Sequence, residues 1–165
     1  MSDQLDTDTF RGLVGRHPAG VCVIACVDDG GAPVGFTASS VVSVSSSPPV
    51  LAFCVRGRSS AWPAIAVARS VAVSFLARDQ ADLAERFAAR GTDRFADGGW
   101  TSLPGGEPVV DGAREWVRGR VLERISLGSS HLVALSPTAH GAPRPDAPPL
   151  LYREGDYRGL DAHDA

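Results

Sequence analysis

Between Val42 and Val55 the chain alternates, breaks at two prolines, and then runs apolar. Val42 and Val44 alternate with Ser43 and Ser45 at the two-residue period of a half-buried strand. A proline ring nitrogen donates no hydrogen bond, so Pro48-Pro49 marks a turn rather than strand interior. Val50 to Val55 then reads as a second strand. The pattern recurs. GVCVIACV (20–27) is an apolar strand, Asp28-Asp29-Gly30-Gly31 a turn, and the short run to Phe36 its hairpin partner. SVAVSFLA (70–77) is another strand. In EWVRGRVLERISL (115–127), Val117, Val121 and Ile125 share one face and Arg118, Arg120 and Arg124 the other. HLVALSP (131–137) is a last short strand, and the Pro-rich segment 137–150 reads as a loop.

Helices are few. Phe10, Leu13 and Val14 lie at helical spacing behind Asp and Thr caps in 7–17. Residues 59–69 predict a short helix capped by Ser59 or Ser60, with Pro63 tolerated in its first turn. Residues 79–91 predict a third, with Asp79 as N-cap, Leu83 and Phe87 on one face and Gly91 as stop. Six or more short strands with two or three peripheral helices predict a mainly β fold, an antiparallel barrel, in one domain. No G-x-G-x-x-G follows any strand, so a nucleotide would not be held by a Rossmann fingerprint.

Composition narrows the chemistry. All sixteen basic residues are arginine, which removes Schiff-base, Walker and Ser-Lys mechanisms. The net charge of −3 speaks against nucleic acid as partner. No apolar run approaches the roughly 18 residues of a membrane span, and the acidic, polar start is unlike a signal peptide. The expectation is a cytoplasmic protein with no membrane partner. Cys22, Cys26 and Cys54 are odd in number and lack C-x-x-C spacing, so they read as buried small hydrophobes. His17, His131, His140 and His163 show no ligand spacing, so no metal is expected. No G-x-S-x-G elbow is present for serine hydrolysis. Thr37-Ala38-Ser39-Ser40 offers hydroxyls and backbone N–H groups in a row, a set that satisfies phosphate oxygens without lysine. Arg86 is either a partner to that set or a solvated charge on a helix face.

Four motifs in order carry a resemblance. HPAGVCVIA, GFTASSVVSVSSSPPV, LAERFAARGTDRF and PPLLYREGDYRGL run from about Phe10 to Leu160. Together they resemble the flavin reductase-like family, the small NAD(P)H:flavin oxidoreductases that serve two-component monooxygenases. The resemblance implies a split β-barrel of Greek-key, FMN-binding type, acting as a homodimer, with core about 10–160 of a single domain 1–165. It implies FAD or FMN as flavin, NADH or NADPH as hydride donor, and a flavin-dependent monooxygenase that receives reduced flavin by diffusion. Thr37, Ala38, Ser39 and Ser40 would hold the ribityl-phosphate and ring edge. Cys54, Val55 and Arg56 would line the isoalloxazine. Ser59, Ser60, Arg86 and Phe87 would complete the phosphate and dinucleotide contacts, and Tyr152 and Arg153 of the closing motif join the cofactor-binding set. His131 would act at the nicotinamide site, its ring projecting from the barrel rim. The family has Gly-Asp-His there, whereas this chain has Gly128-Ser129-Ser130-His131. An alternative keeps the same barrel as a flavin-retaining oxidoreductase or flavin-binding protein without free-flavin turnover.

Overall fold

The computed structural model describes residues 4–160. In chain order the elements are α1 (Thr7–Gly15), β1 (Ala19–Gly20), β2 (Cys22–Val27), β3 (Pro33–Ala38), β4 (Val42–Ser46), β5 (Pro49–Arg56), α2 (Trp62–Val67) and β6 (Ser70–Phe75). A 3-10 turn (Arg78–Gln80) leads into α3 (Ala81–Ala88). Then come β7 (Trp100–Ser102), β8 (Pro108–Val110), β9 (Glu115–Leu127), β10 (Ser130–Gly141), β11 (Leu150–Arg153) and β12 (Asp156–Gly159). The fold is mainly β with few helices.

Local chemistry explains several boundaries. The Asp6 carboxylate accepts from the N–H of Asp8 (3.1 Å) and Thr9 (2.9 Å), capping α1. Asp28 accepts from Gly30 and Ala32 N–H, both at 2.9 Å, closing the β2–β3 hairpin. Pro63 sits in the first turn of α2 as expected, but its N-cap is Ala61, which has no capping hydroxyl. Ser59 Oγ instead accepts from Ala61 N–H at 3.3 Å. Asp79 is not the N-cap of α3: it lies in the preceding 3-10 turn, paired with Arg144 at 2.6 Å. That helix ends at Ala88, before Gly91. β10 continues through Pro137 to Gly141, where a loop was expected. A register shift between Pro137 and Ala139 accommodates the missing N–H.

Seven strands form one antiparallel ladder in the order β3-β2-β6-β9-β10-β5-β4. β3 and β4 are its edges and do not pair with each other, so the ladder does not close into a barrel. It nevertheless curls: Phe36 on β3 and Phe53 on β5 have ring centroids 6.3 Å apart. A second sheet runs β1-β11-β12, and β7 pairs with β8. None of these five short strands was expected.

The curl explains why β2 is apolar without alternation. Cys22, Ile24 and Cys26 point into a core with Phe53, Ile65, Val73 and Leu135. Val21, Val23 and Ala25 point the other way, into a core with Leu76, Phe87 and Phe95. A strand buried on both faces has no polar side to show. Burial pushes the Cys22 thiol up to about 12; burial, then Asp28 and Glu107, pushes the Cys26 thiol up to about 11. Both behave as small hydrophobes. Cys54, expected to be buried, is exposed.

Candidate functional site

The end of β3, the C-terminal half of β5, the end of α3 and the β1-β11-β12 sheet enclose a cleft of about 610 Å³. Thr37, Ala38, Ser39 and Ser40 line one side. Cys54, Val55, Arg56, Ser59 and Ser60 line the next, and Phe87 and Tyr152 face them.

The hydroxyl cluster is not uniform. Thr37 Oγ1 donates to Ala84 O at 2.6 Å, fastening β3 to α3. Ser40 Oγ accepts from Cys54 N–H at 3.0 Å and donates to Cys54 O at 3.2 Å. This pair of bonds joins the chain leaving β3 to β5 and holds the curl where the sheet ladder does not. Ser39 and Ser60 spend their hydroxyls on no such tie.

Three expected residues stand outside the lining. Arg86 donates to Gly98 O at 2.9 Å, lies 3.9 Å from Asp97 and rests over the Phe87 ring at 5.4 Å, so it tethers the 97–98 turn. Arg153 pairs with Glu154 at 3.3 Å; strand alternation turns it away from its cleft-lining neighbour Tyr152. His131 is stacked on Trp62, ring centroids 3.6 Å apart and planes within 4°. Its Nδ1 lies 3.0 Å from Ser126 Oγ, and it does not project into the cleft, whose wall there is Ser130. Its Nε2 faces the turn after β5: a methyl group on Gly57 would sit 3.3 Å away. That turn is bonded to the β9–β10 turn through Gly57 N–H to Ser129 O, 2.9 Å.

The sequence reading missed Arg58, Arg90, Arg94 and Tyr157, which also line the cleft. Arg94 is committed to structure, donating to Ala89 O (2.9 and 2.7 Å) and Gly35 O (2.7 Å), and burial lowers its pKa. Arg56, Arg58 and Arg90 are exposed and engage no carboxylate among the described residues. Among the described residues no Asp or Glu lines the cleft, in a chain with 19 acids and 16 arginines. The one signal for Arg58 was its position beside Arg56 in Arg56-Gly57-Arg58. Arg90 lies beyond the last helical turn, where a periodicity argument has no hold.

Exposed guanidinium groups, free hydroxyls and apolar walls together suit a ligand that joins an apolar part to a phosphate. Among the described residues no helix is long and apolar enough to cross a membrane.

Residues 14–161 match the family described as flavin reductase like domain. The chain is 42% identical over 152 residues to an NADH:FMN oxidoreductase of Rhodococcus qingshengii, covering 90% of this chain and 79% of that protein. It is 32% identical over 160 residues to the flavin-dependent monooxygenase reductase subunit HsaB of Rhodococcus jostii, covering 97% and 81%. A solved flavin reductase domain protein from Arthrobacter superposes with a TM-score of 0.88 at 35% identity, covering 94% of this chain and 96% of that one.

Proposed function

The chain belongs to the flavin reductase-like family, and on that premise we propose that it is an NADH-dependent flavin reductase that supplies reduced flavin to a partner monooxygenase. One observation carries the reading to this chain's own residues: the arginine-lined, acid-free cleft. A flavin nucleotide joins a flat ring system to a phosphate, and the cleft offers walls for both. Arg56, Arg58 and Arg90 would hold phosphate. Ser39 and Ser60 would reach the ribityl hydroxyls. Ala38, Cys54 and Val55 would wall the ring.

A flavin held by these residues would supply the redox chemistry, the acceptance of a hydride from NADH. The protein orients the two partners and supplies fixed positive charge against the negative charge that reduction adds. His131 is a positioning residue in this account. Its ring, clamped by Trp62 and Ser126, holds the Arg56–Arg58 turn against the β9–β10 turn. His131→Ala is expected to raise KM for NADH about 5- to 20-fold while flavin Kd moves less.

The curled ladder works as the family's split barrel, and two copies form a homodimer. What supports the dimer is α1: Leu5 before it, and Phe10, Leu13 and Val14 within it, are half or more exposed, and nothing in the helix is buried. A nine-residue helix without tertiary packing is marginal in water. A second copy would cover it.

The test is NADH consumption with added free flavin. The reductase reading expects a rate that saturates in both, from protein that has lost its flavin on gel filtration. Flavin that stays bound, with no turnover of added flavin, would favour the flavin-retaining alternative.

A further inference from the structure

The cleft continues past its arginines, and strand registers give the order of its walls. Ser40 is tied to Cys54. Ala38 pairs with Cys22, which puts Ser39 level with Val21. Val21 N–H donates to Leu150 O at 2.9 Å. Ala19 pairs with Tyr152, and Tyr152 pairs with Tyr157. One wall therefore runs from Cys54 through the hydroxyl cluster to two tyrosines, and Arg90 faces it from beyond α3. The three residues from Cys22 to Ala19 cover roughly 10 Å of extended chain.

At that far end the chemistry changes. The Tyr152 and Tyr157 rings lie 5.3 Å apart, tilted by 58°. Tyr157 packs against the second core, which fixes it; Tyr152 is 37% exposed. Tyr157 also borders a second hollow, whose walls include Glu85, Asp156 and Arg158. Cleft and hollow thus meet at one aromatic side chain. The cleft side carries arginine and no carboxylate; on the hollow side Asp156 is paired with Arg158 at 3.5 Å, which leaves Glu85 as the carboxylate able to accept from an amine.

We propose that Tyr152 and Tyr157 form a stacking platform for the adenine of a dinucleotide, with the phosphates on the cleft arginines and the exocyclic amine toward Glu85. Aromatic side chains hold bases through their π-faces, and each such contact is worth about tenfold or more in affinity. Burial, with Tyr152 and Glu85 nearby, pushes the Tyr157 phenol up, so it stays neutral and does not repel phosphate. The inference rests on the reductase reading. Adenine could come from FAD or from NADH, and the experiment separates the two.

Tyr152→Leu and Tyr157→Leu remove the rings; Tyr152→Phe and Tyr157→Phe keep them. Kd is measured for FAD and FMN by flavin fluorescence quenching, and KM for NADH and for reduced nicotinamide mononucleotide. The platform predicts that the Leu variants weaken the adenine-bearing member of one pair about tenfold, leave its truncated partner within about twofold, and that Phe restores wild-type behaviour. The pair that splits names the source. The proposal is overturned if both members of each pair shift alike, or if none shifts. Should a Leu variant not fold, the same comparison on wild type and Phe variants still decides: equal wild-type affinity for FAD and FMN, with equal KM for the two nicotinamides, overturns it. A wild-type protein that oxidises no NADH with any flavin sinks the function reading, while Kd values for FAD against FMN and for NADH against reduced nicotinamide mononucleotide still judge the platform.

Discussion

Four hydroxylated or small residues in a row, Thr37 to Ser40, read from sequence as one phosphate clamp, and the structure divides their labour. Thr37 and Ser40 are fasteners, bonded to Ala84 and Cys54; Ser39 is the free hydroxyl. Thr37→Val and Ser40→Ala should each lower stability by about 1 kcal/mol, because each removes a bond that fastens the end of β3 to a neighbouring element. Ser39→Ala should leave the melting temperature unchanged. Thermal melts of the three variants check this, and equal melts would remove the distinction. Of the exposed arginines that line the cleft, Arg56 was legible and the other two were not. Arg58 and Arg90 belong to no periodic pattern, whereas Arg86, which sat in a recognisable motif, is turned to Gly98. Arg58→Ala and Arg90→Ala should each weaken FMN about tenfold and leave riboflavin, which lacks the phosphate, within about twofold. Equal losses for both flavins in a binding titration would place phosphate elsewhere.

At the scale of elements, long patterned strands were legible and short ones were not. The β2–β3 hairpin and β5, β6 and β9 follow from turn residues and alternation. β7, β8, β11 and β12 have only three or four residues each and no room to show a period. They form because tertiary partners take up their backbone groups. One buried charge pair joins three of the elements. Glu107, just before β8 and 2% exposed, pairs with Arg118 of β9 at 2.9 Å and accepts from the Ser70 hydroxyl of β6. Burial alone would raise its pKa, but the bonds from Arg118 and Ser70 outweigh burial and hold it below the ordinary carboxylate range. A depressed folded value gives stability that is fully present above the unfolded pKa and lost as pH falls through the folded one. Melting temperature should therefore drop on acidification below the ordinary carboxylate range, and Glu107→Gln should flatten that drop. The substitution should itself cost about 2–4 kcal/mol at neutral pH, the partial exposure of Arg118 keeping it below a fully buried pair. Melts against pH for both proteins test it; parallel curves would show that Glu107 does not carry the acid sensitivity.

At the scale of the molecule, curling one antiparallel ladder brings β3 alongside β5 without pairing them, and the cleft opens at that seam. The long strands were legible in their alternation; neither periodicity nor composition could place the seam, since it is made by Ser40 and Phe36 meeting residues of β5. The exposed face of α1 leads to a further expectation. Light scattering should report a mass of twice 17.2 kDa, and Phe10→Glu with Leu13→Glu should shift it toward one chain. A wild-type monomer would leave α1 unexplained. The central claim is that reduced flavin leaves the protein for use elsewhere. Its most direct test is anaerobic: catalytic protein, excess FMN and excess NADH, with the flavin absorbance followed to completion. The account predicts that many equivalents of FMN are bleached per protein chain, and that the reduced flavin passes a filter that retains the protein. Bleaching that stops at one equivalent, with flavin retained above the filter, would contradict it.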